Sequence, residues 1–400
     1  RSMVLDLQTI GSASIVGRGN VTIIMDAPGP AFLIRGTHEG TASPRSFKPE
    51  TWNQRMPVIK GIEVLGASIE ADGIQLEGTV GAILQNVSVR WCRHGIHMVN
   101  RNRNVIISGC HLYENNGVGI FLDDVNLHQI NVIGSHVSYN RGGGIVVKDG
   151  NVRNLQVAGC DLEANMPLDT TPTRTANVWL DVSGSAGDRA KSIAEISITG
   201  CTIQHSANYS GDEQKTMALG GANIRLTGKE VYPIDSVTIS GNVISDTTIN
   251  VDLSHVMDVT ISGNNFFAPK PENIRVVRGA RVILQGNTFN PRQFVRPGDI
   301  SFTDCSDCLI ANSTLHGFAT TRGAIRLSGS DGMVLSGLIL SNCGSGIRVD
   351  RCRDVSITGC LIRGTTAGSD LLVDDASERV SLHGNQMSRG VSIPEGVLAD

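Results

Sequence analysis

Asp123, Asp124, Asp149 and Asp181, with Lys148 and His97 among them, are the residues of this chain whose types and order could do chemistry. Two carboxylates held apart by a rigid frame can divide general acid and general base between them. A separation of about 6.5–9.5 Å leaves room for a water and suits inversion at a sugar carbon, whereas about 5 Å suits retention. Such a pair could instead share one proton or hold a calcium ion. Lys148 lies between acids, which fits a salt bridge or a substrate-orienting role better than a general base. His97, with His94 and His128 nearby in sequence, can move protons near neutral pH. Each acid also has a plain reading as a solvated charge or a corner hydrogen bond.

The frame that must position these groups is written in a repeat. The phrase recurs as Val105-Ile-Ile-Ser-Gly-Cys110, Leu155-Gln-Val-Ala-Gly-Cys160, Ile196-Ser-Ile-Thr-Gly-Cys201, Val237-Thr-Ile-Ser-Gly-Asn242, Val259-Thr-Ile-Ser-Gly-Asn264, Val282-Ile-Leu-Gln-Gly-Asn287 and Val355-Ser-Ile-Thr-Gly-Cys360. Its spacing is mostly ~22–25 residues, which is the range of a solenoid repeat. A second alternating segment follows each phrase, as in Gly95-Ile-His-Met98, Gly119-Ile-Phe-Leu-Asp123, Gly144-Ile-Val-Val-Lys148 and Gly346-Ile-Arg-Val-Asp350. Each repeat therefore carries at least two period-two strands and no helical pattern. The fold class predicted is all-β, a parallel β-helix of about fourteen coils. Strands stacked about 4.8 Å apart then give a rod of roughly 65 Å.

Composition agrees with a coil. Glycine numbers 46 of 400 and aromatics are only 4%, so corners are cheap and the core must be built from Ile, Val and Leu. Net charge is −4, which argues against a nucleic-acid partner, and no apolar run is long enough to span a membrane. The nine cysteines are odd in number and scattered, so they read as free thiols. Cys110, Cys160, Cys201 and Cys360 fill corners where Asn242, Asn264 and Asn287 could stack as an amide ladder. Cys305 and Cys308 lack the partners of a zinc site.

The repeated V-x-I-x-G-[NC] phrase followed by G-I-x-[LV] resembles the right-handed parallel β-helix proteins of the pectate-lyase-like superfamily, from about Leu5 to Ile393. The resemblance implies a right-handed coil and one domain over residues 1–400, with loops inserted near 37–57, 166–177, 184–192 and 207–222. It also implies that an extended polysaccharide lies along one strand face. Registering the strands on their inward residues gives two outward columns on that face. One runs Gln75, His97, Phe121, Val146, Trp179 and, further on, Arg225, Asp252, Arg275, Ser301, Arg326, Arg348. The other runs Glu77, Val99, Asp123, Lys148, Asp181.

On this register Asp123 and Asp181 stand two coils apart, and Asp124 and Asp149 are neighbours just past the strand ends. Trp179 and Phe121 are platforms for a sugar ring, and Glu77 lines the same face. Arg225, Arg275, Arg326 and Arg348 either track acidic groups on a polymer or pair with Asp252 and Asp350. The G-H-G and R-I-K motifs of polygalacturonases are absent, as are W-x-D-H and R-x-P-x-x-R of pectate lyases, so no catalytic role transfers.

The leading expectation is a glycoside hydrolase with Asp123 and Asp181, or Asp124 and Asp149, as acid and base. A polysaccharide lyase using Lys148 or His97 as base, helped by arginine or calcium, is the first alternative. A glycan-binding or structural rod without turnover is the second. The partner expected is a polysaccharide or oligosaccharide, no metal ligand set is assigned, and either a monomer or a homo-oligomer such as a trimer is open. The placement expected is secreted or periplasmic, although no signal peptide is visible.

Overall fold

The computed structural model describes residues 1–40, 43–167, 173–184, 192–205, 220–269, 271–293 and 295–398. The fold is all-β, a parallel solenoid of about fourteen turns. It divides into two compact units, Arg1–Ala218 and Leu219–Asp400.

In the first unit, short strands such as Ser88–Arg90, His111–Tyr113, His136–Ser138 and Asp161–Glu163 pair in parallel from turn to turn. The second alternating segments stack in the same way: Ile74, Ile96, Ile120, Ile145 and Val178 are successive partners, and so are Leu76, Met98, Leu122, Val147 and Leu180. All ten are fully buried. Since side chains alternate across a strand, burying these rows forces His97, Phe121, Asp123, Lys148 and Trp179 to the opposite face.

Buried asparagines precede the strands Val118–Asp123, Gly143–Lys148 and Thr175–Asp181, and a fourth, Asn177, lies within the last of them. Asn115 Nδ2 donates to Asn140 Oδ1, Asn140 to Asn165 and Asn165 to Asn177, each at 2.8 Å. The same amides satisfy backbone groups that the corner would otherwise orphan: the Asn115 N–H at 3.2 Å and the Leu112 carbonyl at 2.9 Å both bond to Asn140. After the strands, Asp124 and Asp149 turn the corner with φ of 43° and 57°. Aspartate tolerates this left-handed region better than most residues because its short polar chain bonds locally.

The second unit repeats the scheme with Val243–Ser245, Asn265–Phe267, Thr288–Asn290 and their successors. Phe266 and Phe289 stack at 4.7 Å inside it. The predicted ladder is present, Asn242 to Asn264 to Asn287 at 3.0 Å each, and a second runs from Asn223 to Asn250 to Asn273. All nine cysteines are buried and free, and the cysteine thiols at corners such as Cys110 and Cys201 donate to main-chain carbonyls.

The pattern analysis expected no helix, and among the described residues two short α-helices occur. Leu7–Ile10 starts where Asp6 Oδ1 accepts the Gln8 N–H at 3.1 Å, and Pro49–Asn53 starts at a proline. Both are too short for a hydrophobic period to register. Residues 168–172, 185–191 and 206–219, which hold much of three predicted loops, lie outside the described residues.

Candidate functional site

The outward columns of the first unit fall into the register read from the sequence. Gln75, His97, Phe121, Val146 and Trp179 are successive partners, and Asp123 faces Lys148, which faces Asp181. Asp123 and Asp181 are thus separated by two strand spacings, about 9.6 Å between backbones.

Asp123 is the best-presented acid. Its side chain is 43% exposed and its Oδ2 lies 3.2 Å from His97 Nε2. The His97 ring lies flat on Phe121, with centroids 5.3 Å apart and planes 8° from parallel. Its Nδ1 is buried without a hydrogen-bond partner, so Nε2 is the nitrogen offered to Asp123.

Behind it, His94 packs 5.0 Å from Phe121 and 5.3 Å from His97. Burial is the main cause that pushes the His94 pKa down to about 4, so it is neutral and its Nδ1 accepts the Val118 N–H at 3.1 Å. The fully buried Asp72 holds this corner by accepting from the His94 N–H and from Arg93. Asp72 and Arg93 escaped the sequence reading because neither sits on an outward column. The Arg93 side chain reaches back one turn.

The other candidates divide between this groove and separate settings. Lys148 is exposed between the two acids. Asp181 is only 8% exposed and accepts the Ser183 N–H at 2.8 Å. Trp179 is half-buried, with the Arg174 guanidinium 6.0 Å from its ring centre. Glu77 pairs with Arg35 at 3.6 Å. Asp124 is exposed at its corner, whereas Asp149 is half-buried at the equivalent corner.

The arginine column belongs to the second unit, and there its members meet carboxylates. Arg225, 2% exposed, donates Nε to Asp252 at 2.8 Å, and Arg275 donates Nε to the other Asp252 oxygen at 3.0 Å. Arg326 reaches Glu272 at 3.0 Å and Asp299 at 3.3 Å, and Arg348 grips Asp350 at 2.7 Å. Burial would raise the Asp252 pKa, but the bonds from Arg275 and Arg225 outweigh it and hold the carboxyl below its ordinary value. Glu272 goes the other way, raised chiefly by burial.

Residues 58–187 match the family described as "Right handed beta helix region". The chain is a right-handed parallel β-helix protein. Residues 195–393 of the β-helix also match the family described as "Periplasmic copper-binding protein (NosD)". No curated protein matches the sequence. Among solved structures, PfbA, a surface adhesin of Streptococcus pneumoniae, aligns over 82% of this chain and 83% of its own, at 11% identity and a TM-score of 0.54. The pre-mature gene product 12 of bacteriophage phi29 aligns over 98% of this chain and 53% of its own, at 13% identity and a TM-score of 0.50. The β-helix thus spans about half of that phage protein. A further match is the catalytic unit of a GH87 alpha-1,3-glucanase from Streptomyces thermodiastaticus, at 11% identity over 99% of this chain and 70% of that one, with a TM-score of 0.49. The likenesses to PfbA and to the phage protein show the fold alone.

Metal binding can be tested on the side chains. Among the described residues no three of His, Cys, Asp or Glu gather as a metal ligand set, which leaves the calcium option without a site. A copper site would need grouped His, Cys or Met donors. In the described part of 195–393 the cysteines are buried and donate to main-chain carbonyls, and the one contacting pair, Cys305 and Cys308, has no third His, Cys, Asp or Glu beside it, so these residues do not fit copper. Among the described residues no helix is long and apolar enough to cross a membrane.

Proposed function

We propose that this β-helix is a carbohydrate-active enzyme that hydrolyses a polysaccharide or oligosaccharide lying over the strands Val118–Asp123, Gly143–Lys148 and Thr175–Asp181. The observation that carries the reading is the setting of Asp123: half-exposed, oriented by His97 Nε2 at 3.2 Å, with Asp181 two turns away in the same column. That separation suits an inverting pair with a water between the carboxylates. Asp123 takes the proton of the water as its oxygen bonds to the anomeric carbon. The glycosidic C–O bond breaks, and Asp181 delivers a proton to the departing oxygen. Phe121 and Trp179 supply ring faces for the flanking sugars, and Lys148 and Glu77 supply polar contacts at the rim. The similarity of residues 195–393 to a family described as periplasmic supports a secreted or periplasmic placement.

The test is to incubate the protein with a panel of polysaccharides and to follow new reducing ends and product masses. The expected products carry one added water per cleaved bond, and D123N lowers the rate by about 10²–10⁴-fold. Products carrying the absorbance of an unsaturated uronate would replace hydrolysis by β-elimination with Lys148 as base. Full activity in both D123N and D181N would overturn the assignment, and binding without products at any pH would leave a glycan-binding rod.

A further inference from the structure

One outward face of the second unit carries no charge. From Ile234–Ser240 to Glu378–His383, strand segments on seven successive turns pair in parallel, and inward residues such as Ile261, Leu284, Ile310 and Leu335 are fully buried. Alternation turns two ranks outward. One reads Thr238, Thr260, Ile283, Leu309, Val334, Ser356 and Ser381, and the other, two residues further along each strand, runs from Ser240 through Ala311 to His383. Neither rank holds an Asp, Glu, Lys or Arg, although these make up 18% of the chain.

Both flanks set this face apart. The corner before the strands presents Asp258, Arg281, Asp307, Asp354 and Arg379, all exposed, with Arg281 paired to Asp258 at 2.7 Å and Arg379 to Asp354 at 2.5 Å. At the corner after them, Gly263, Gly286 and Gly359 have φ of 63°, 64° and 64°, and nothing stands within 4 Å of where a Cβ would project. A flat partner therefore meets bare backbone on one side and charges only at the opposite rim.

The polarity of the face is symmetric about its middle turn. Leu309 is central in the first rank, Ile283 and Val334 flank it, and hydroxyl residues fill the turns at either end. Val334 is 39% exposed, and Ile283 and Leu309 are half-buried. Half a rotation about an axis along the middle strand lays Leu309 on Leu309, Ile283 on Val334, Thr260 on Ser356 and Thr238 on Ser381. In the second rank it lays Ala311 on Ala311 and Gln285 on Ser336. A surface that matches its own image is what a two-fold interface requires. A centre depleted of charge inside a charged rim is also the composition of a protein–protein contact. A neutral sugar polymer would be served by these residues in any order, so the symmetry favours a second copy of this chain.

We propose that this face packs against the same face of a second copy, the two second units running antiparallel with Leu309 on the two-fold axis. Ile283, Leu309 and Val334 then lose their water between sheets about 10 Å apart. Six strand spacings make the strip about 29 Å long, and it is only two ranks wide. That is less than the roughly 800 Å² per partner of a standard interface, so the dimer is one that forms and parts readily. Asp307, level with the axis at the rim, faces its own image, so added salt does not weaken the pair. The proposal is independent of catalysis at Asp123.

Sedimentation equilibrium of the full chain from about 5 μM to about 1 mM tests the association. A monomer–dimer equilibrium is expected, held or strengthened by salt. V334D sets an unpaired carboxylate against Ile283 and weakens the dimer by about ten-fold or more, while V295D, in the loop after Thr288–Asn290, leaves it unchanged. Thermal melting confirms that both variants fold, and cross-linking decides alone if V334D does not. The nine native thiols are buried, so a short bis-maleimide joins only introduced cysteines. T238C mixed with S381C gives a covalent dimer, and T238C by itself does not. A monomer throughout the range, a dimer indifferent to V334D, or T238C joined to itself overturns the proposal. A chain that stays monomeric but is pulled down by an insoluble neutral glycan, and loses this in V334D, overturns it in favour of a polysaccharide.

Discussion

Replacing Asn140 with alanine should cost the first unit about 4 kcal/mol. The residue is fully buried, and its amide serves both sides of the ladder. In the variant, the Asn115 N–H loses its acceptor at 3.2 Å and the Leu112 carbonyl loses its donor at 2.9 Å. The Asn115 and Asn165 amides keep their carbonyl partners, Val89 and Val137, and Asn165 Oδ1 keeps the main-chain N–H of residue 140, but both lose their bonds to the Asn140 side chain. Two orphaned main-chain groups at about 1–3 kcal/mol each give ~2–6 kcal/mol.

The assay is unusually clean, because Trp52, Trp91 and Trp179 all lie in the first unit. Urea unfolding followed by tryptophan fluorescence therefore reports that unit alone. The midpoint should fall at an unchanged slope, with Q156A on the exposed face as a control within about 0.5 kcal/mol of the parent. A loss below about 1 kcal/mol for N140A would refute the ladder as a carrier of stability. The function would suffer as well, since Asn115 and Asn140 precede the strands that end at Asp123 and Lys148.

Two further outcomes follow from the charges. Burial lowers the His38 pKa from 6.5 to about 4, with Arg101 and Arg103 adding to the effect, and lowers His94 to about 4 as well. The unfolded chain therefore binds protons first, so the tryptophan-detected stability falls as pH drops from about 6.5 towards 4, and H38Q flattens part of that slope. In the second unit, Asp252 is held below its ordinary value, so its stabilising effect is complete at neutral pH and is lost as pH falls through the depressed value. D252N leaves Arg225 buried without that counter-charge and should cost about 3–5 kcal/mol, measured by calorimetric melting, where an unchanged melting temperature would contradict the pairing.

The outward columns were legible in the sequence because alternation with two buried rows leaves no freedom of register. A slip of one residue would have put Asp123 inside and Leu122 in water. The same alternation fails at corners, and there the reading stopped. The strand Ile96–Ser108 runs through its corner with a register shift between Val99 and Asn102. Arg101 and Arg103 therefore fell outside any column that could be extrapolated from Val99. The Asn115 to Asn177 ladder was hidden for a related reason. Asn115, Asn140 and Asn165 precede strands at unequal distances and Asn177 lies within one, without the Gly that marks the other ladder. Arg225 was placed on the right column and its pairing with Asp252 was one of the two settings read for it; its burial was not legible, since the Gly220 carbonyl at 2.8 Å and Asp252 enclose a side chain that alternation alone turns outward.

Nine covered thiols have a consequence for how the protein ages outside a reducing cytoplasm. While the coil is closed, none can reach an oxidant. Cys305 and Cys308 already touch, so a turn that opens to an oxidant lets them form a disulfide, and the bonds that their thiols donate to the Thr303 and Ser306 carbonyls are then lost. Oxidation then acts as a ratchet, converting a reversible breath of the second unit into a one-way step. In reducing medium the same opening is forgiven. The lifetime of the folded protein is therefore set by how rarely its turns open, not by the equilibrium between folded and unfolded chains.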